Sequence, residues 1–251
     1  RPIRFLSPIR IDRQGSNGVE AMIVTIHQPQ YMPWLGYFDK MEIADHFVLL
    51  DSVQFKKNEW QNRNRIKTVQ GAQWLTVPVS YDFPARIDEV ATNDQANWRH
   101  KHWQALTTNY GPASGWERAN SSLQALYDIA YERLVDINVA GIEWLRAQLG
   151  ISTPMSLSSQ SAVSDDPTQR LIDLCVEQEA TTYLSGPDGA KYLDTSRFTD
   201  QGIKVIFHEY EHPEYDQLFG EFTSHLSCLD LVLNHGNRST DIVRSGRRFR
   251  G

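Results

Sequence analysis

Short, unbroken apolar runs recur along this chain at helix-length intervals, and that rhythm constrains its fold more than any other feature. MIVTI (22–26), HFVLLD (46–51), TTYLS (181–185) and IKVIFHEY (203–210) do not alternate apolar with polar residues. A strand covered on one face alternates, whereas one covered on both faces reads as a continuous apolar run, the habit of parallel sheets. Parallel neighbours need a crossover between them, and LGYFDKMEIAD (35–45) supplies one, with Leu35, Phe38 and Met41 at helical spacing. The sequence therefore predicts an α/β fold, a mostly parallel, Rossmann-like sheet. WLTVPV (74–79) and TPMSLS (153–158) read as further strands, and RIDEVA (86–91) as an edge or hairpin strand.

Residues 95–150 carry helical patterns and are expected to form a helical insertion, closed by a left-handed cap at Gly150. In DDPTQRLIDLCVEQEA (165–180) an Asp cap precedes Pro167 in the first turn, and SHLSCLDLVLNHG (224–236) reads as a closing helix. The expected organisation is a disordered leader over 1–21, one α/β domain over 22–237 and a frayed basic tail over 238–251. At 251 residues the chain can bury one large core.

A net charge of −6 excludes the basic footprint of a general nucleic-acid binder. The two cysteines, Cys175 and Cys228, lie outside any CxxC pattern and point to a reducing, cytoplasmic setting. No apolar run is long enough to span a bilayer. No motif names a cofactor or a metal; His208, Glu209, Glu211 and His212 are metal-capable but lack a ligand spacing.

Ligands of open parallel sheets bind beyond the carboxyl ends of the strands. The chain places His27, Asp51 with Gln54, Ser185 with Gly186, and His208 at such ends. After His27 comes QPQYMPWLGYF (28–38), in which Pro29 and Pro33 fix the backbone and Tyr31, Trp34 and Tyr37 offer rings for stacking on a base or sugar. His27 suits acid/base work because histidine titrates near neutral pH. In WQNRNRIK (60–67) an extended backbone would turn Arg63, Arg65 and Lys67 to one face, as for phosphate, with Gln61, Asn62 and Asn64 reading polar substituents. The plainer reading is a solvated edge strand. YLSGPDGAKYL (183–193) places Gly186 and Gly189 where backbone amides can approach an anion beside Lys191, or simply forms a turn.

IHQPQYMPWLGYFDKM, FVLLDSVQF, WQNRNRIK with WLTVPV, YLSGPDGAKYL and SCLDLVLNHG, in that order, resemble the WbqC-like family of bacterial proteins, over about residues 22–237. The resemblance implies association with surface-polysaccharide and modified-sugar pathways. It marks His27, Pro29, Tyr31, Pro33, Gly36 and Tyr37 as a first motif. Asp51, Gln54, Asn62, Arg63, Asn64 and Lys67 form a second, and Tyr183, Gly186, Tyr192, Asp230, Asn234 and Gly236 the later ones. A more distant likeness is to HxGH nucleotidyltransferases and pantoate–β-alanine ligase-like enzymes, but Trp34 and Tyr37 stand where their histidines would lie. The expected activity is acyl or aminoacyl transfer to a nucleotide-linked amino sugar, with His27 and Asp51 catalytic. The alternatives are ATP-dependent ligation or nucleotidyl transfer, and a non-catalytic sugar-nucleotide-binding or scaffold protein.

Overall fold

The structure, a computed structural model, describes residues 21–250; the expected leader lies outside them apart from Ala21. In chain order the elements are β1 (Ile23–His27), α1 (Leu35–Ile43), β2 (His46–Leu49), β3 (Arg63–Thr68), β4 (Gly71–Thr76), β5 (Val79–Ser80), β6 (Ala91–Thr92), α2 (Trp98–Tyr110), α3 (Trp116–Asp128), α4 (Leu134–Gln148), β7 (Met155–Leu157), α5 (Pro167–Glu177), β8 (Thr182–Ser185), α6 (Thr195–Thr199), β9 (Lys204–Tyr210), α7 (Cys228–His235), α8 (Ser239–Ser245) and β10 (Arg247–Arg250).

The continuous apolar runs form the central sheet, in the order β10-β9-β8-β1-β2-β7. All its pairings are parallel except β10 on β9. β1 is the pivot: the chain grows outward through β2 and β7 on one side, then returns to place β8 and β9 on the other. Order reverses between β1 and β8, and a crevice opens beyond the carboxyl ends of strands at such a point.

Helices and capping follow the sequence closely. α5 begins at Pro167 with the Asp166 side chain accepting from Gln169 N. α4 runs into Gly150, which adopts φ +68 as the left-handed cap requires.

Three expectations are corrected. WLTVPV does not join the sheet: β4 pairs antiparallel with β3 in a separate hairpin, Arg63 opposite Thr76 and Thr68 opposite Gly71. RIDEVA is mostly a 3-10 turn, Ile87–Glu89, followed by β6. Residues 238–250 are not a frayed tail, since they contribute α8 and the edge strand β10. Arg247 explains why that end is ordered. It donates to Asp39 Oδ1 at 2.9 Å and pairs with Glu42 at 2.6 Å, fastening β10 to α1.

The largest core cluster joins α1 and β2 to the hairpin, α2–α4 and α7. The turn after β1 is sealed into it. Pro29 and Pro33 cannot donate hydrogen bonds, and while Pro33 O accepts from Cys228 N at 2.8 Å, other carbonyls of this segment are met by buried side-chain amides. Asn64 donates to Met32 O at 2.7 Å and Tyr31 O at 3.3 Å, and Asn138 donates to Pro29 O at 3.2 Å and Gln61 O at 2.8 Å.

Candidate functional site

A cleft of about 730 Å³ opens at the switch point, within the usual size of a small-molecule site. Its walls come from the end of β1 (His27), the segment after β8 (Ser185 to Gly189, and Tyr192) and the start of α5 (Arg170, Leu171). Trp34, His225, Trp60, Lys56, Gln28 and Gln30 line it as well. Lys40 of α1 also lines it.

The cleft thus gathers His27, Trp34, Tyr183, Gly186 and Tyr192 from the residues expected at a site. Tyr183 is buried and stacked on Phe198 at 5.2 Å, so it forms a fixed wall, whereas Tyr192 is exposed and can meet a ligand. Trp34 packs against a pair of imidazoles, His225 at 5.6 Å and His212 at 6.3 Å, which themselves touch at 4.9 Å. Its indole also passes directly over Gly36: a Cβ there would come within 2.4 Å of the ring. Gly36→Ala is therefore expected to displace Trp34 and weaken ligand binding about tenfold or more with little loss of helix stability. Titration calorimetry beside thermal melting would check this; unchanged affinity would show that Trp34 does not need its present seat.

Several other expected residues serve the framework. Tyr31 is fully buried, its hydroxyl bonded to His102 Nδ1 at 2.9 Å and the Tyr127 hydroxyl at 2.8 Å, and no ligand can stack on it. Tyr37 is equally buried and supports His27 edge-on at 4.8 Å. Asp51 does not line the cleft, and its carboxylate accepts from Ser158 Oγ, Ser159 N and Ser159 Oγ at 2.7–3.0 Å. That carboxylate ties the end of β2 to the turn after β7, and a catalytic role has no geometric support. Gln54 is exposed and bridges Arg86, and the Asn234 amide is spent on Asp230 O within α7.

The cationic strand also lies off the cleft. Arg63, Arg65 and Lys67 do share one face of β3, but Arg63 sits 4.1 Å over Trp74 and Arg65 5.5 Å over it. Arg65 Nη2 donates to His225 O at 3.3 Å, and Lys67 Nζ donates to Glu221 O. Between them, Asn62 and Asn64 are buried and hold backbone: Asn62 Nδ2 donates to Val77 O at 3.0 Å. QNRNRIK braces the turn and the 221–227 segment instead of facing the cleft. Besides Lys40, the basic residues that line it are Lys56 and Arg170, the latter anchored through Nε to Ser164 O and Nη2 to Asp165 O.

Electrostatics single out His27 and Lys40. His27 donates through Nδ1 to Gln28 O at 3.1 Å, which fixes the tautomer and makes Nε2 the acceptor. Burial, with the Lys40 charge nearby, lowers its pKa to about 3. Contrary to expectation, then, His27 does not titrate near neutral pH; it is an uncharged acceptor and a weak base. Lys40 is the group poised there. It is 3% exposed and its Nζ donates to Ile26 O at 3.3 Å. Burial lowers its pKa from 10.5 to about 7. The adjacent Asp39 does not neutralise it, being turned toward His208 (2.7 Å) and Arg247 (2.9 Å). Among the described residues Lys40 has no ion-pair partner.

Lys40 was missed because lysine is expected on helix surfaces. The available signal was its spacing, four residues after Gly36 and so on the same face of a short helix between two buried strands. Among the described residues no three His, Cys, Asp or Glu side chains are grouped to hold a metal ion; His208 and His212 diverge, one to Asp39 and one to the Trp34 stack. Nor is any helix among them long and apolar enough to cross a membrane.

No solved structure matches the chain. The uncharacterized protein Rv1507c of Mycobacterium tuberculosis is 37% identical over 229 residues, covering 90% of this chain and 99% of that protein. The WbqC-like protein family matches residues 28–242, a span that runs from the residue after His27 through the hairpin, α5 and β8 into α8. The chain belongs to the WbqC-like protein family.

Proposed function

We propose that this protein is a transferase that moves an acyl or aminoacyl group onto the amine of a nucleotide-linked amino sugar. The observation that carries the reading is Lys40, a buried amine without a counterion in a cleft at the sheet's switch point. Attack of a sugar amine on an activated acyl carbonyl forms a C–N bond and breaks the bond to the leaving group, and the nitrogen must shed a proton. A base with a pKa near 7 is matched to that task at neutral pH. Lys40 takes the proton, while His27 Nε2 accepts a hydrogen bond that orients the incoming amine. The diphosphate lies toward Lys56 and Arg170, whose guanidinium is held in place by its bonds to Ser164 O and Asp165 O.

The test is incubation of the protein with UDP- and dTDP-linked amino sugars and thioester or acyl-phosphate donors, read as a mass increase of the sugar nucleotide. Turnover is expected to rise tenfold per pH unit below about pH 7 and level off above it, following deprotonation of Lys40. Lys40→Met should abolish turnover while nucleotide binding persists, and Arg170→Ala should weaken binding where Arg63→Ala does not. Pyrophosphate release from ATP would favour a ligase instead. Tight binding without turnover under every donor would leave a binding or scaffold protein.

A further inference from the structure

Gln30 is 9% exposed, lines the cleft, and has a buried Oε1 with no hydrogen-bond partner. A buried acceptor left unpaired is costly, so its presence in a ligand cleft calls for an explanation. Two neighbours narrow it. Gln28, also on the cleft wall, accepts from Gln61 Nε2 at 2.7 Å through its Oε1, which leaves its amide end only hydrogens to offer. Trp60 also lines the cleft and is 39% exposed. It packs on Trp74 at 5.6 Å, which steadies the indole.

We infer that Gln28, Gln30 and Trp60 form a nucleobase subsite that selects an imide edge, that of uracil or thymine. An imide presents carbonyl, N–H and carbonyl in a row. The Gln30 carboxamide and the Gln28 amide present the complement, one acceptor beside amide donors, and the indole of Trp60 covers the face of the ring. Adenine offers one donor beside one acceptor and leaves a Gln28 hydrogen without a partner; cytosine puts a bare ring nitrogen against Gln30 Oε1, two acceptors face to face. The inference rests on the nucleotide-sugar reading above and specifies which nucleotides it admits.

The experiment is calorimetric titration of the intact protein with UDP, N3-methyl-UDP, CDP and ADP. UDP is expected to bind about tenfold to a hundredfold more tightly than the other three, because each leaves a buried polar group of the wall unpaired. Methylation at N3 replaces the hydrogen that Gln30 would accept with a methyl group. In Gln30→Met, UDP and N3-methyl-UDP should bind with the same, weakened affinity, and a melting curve would verify that the variant is folded. Equal binding of UDP and N3-methyl-UDP by the unaltered protein, or preference for ADP, would overturn the subsite and leave the transferase reading standing. Failure of every nucleotide to bind would overturn both.

Discussion

Lys40→Met is expected to stabilise the protein by a few kcal/mol at pH 7, on the order of 10 °C in Tm, while removing turnover. Lowering the pKa from 10.5 to about 7 records how much the fold resists charging this amine. Each tenfold change in proton affinity is worth about 1.4 kcal/mol, which places the cost near 4 to 5 kcal/mol. The sign follows from linkage. Between pH 7 and 10.5 the unfolded chain keeps the proton and the folded protein does not, so stability from this group rises with pH across that window. Below pH 7 both states are charged and the full penalty stands. Methionine has a similar length and no charge; its cost is the lost bond to Ile26 O. The advantage of the variant should therefore be largest at and below pH 7 and fade toward pH 10.5. The tyrosines and cysteines are common to both proteins and cancel in the comparison. A stability difference that does not change with pH would mean that Lys40 is solvated and would remove the basis for its role as a base.

The sheet could be read because continuous apolar runs answer to one physical demand, burial on both faces, and β1, β2 and β8 all display it. The position of the cleft followed, since strand polarity sets which end carries a ligand. Side-chain roles were less legible. The amides of Asn62 and Asn64 have the same chemistry whether they read a ligand or hold a carbonyl, and only packing reveals that they hold Val77 O, Tyr31 O and Met32 O. The aromatic rings divide in the same way: Tyr31 is sealed in the core, whereas Trp34 reaches the cleft three residues on. β3 and β4 pair locally through the turn at Gly71, φ +101, which the apolar run WLTVPV does not disclose. The basic end misled because its arginines look solvated until Asp39 and Glu42, more than two hundred residues earlier, are placed beside Arg247.

That last contact carries the other large effect. Asp39 is 0% exposed, and His208 and Arg247, its two partners, are themselves largely buried. Removing one member of a buried, hydrogen-bonded charge pair costs about 3–5 kcal/mol, because the survivor stays desolvated without compensation. Asp39→Ala is expected to lose that much. Arg247→Ala should lose less than Asp39→Ala, since His208 still donates to Asp39, although it also strips Glu42 of one of its two guanidiniums, the other being Arg244. The double variant should be more stable than the sum of the single losses predicts, by at least about 1 kcal/mol, as residues in direct contact do not add. Urea midpoints of the four proteins measure that coupling. Strict additivity would mean that β10 docks on α1 through its backbone pairing with β9 alone. Coupling of the expected size would make the last strand a clamp on the helix that carries Lys40, so that the chain's far end holds the amine over the cleft.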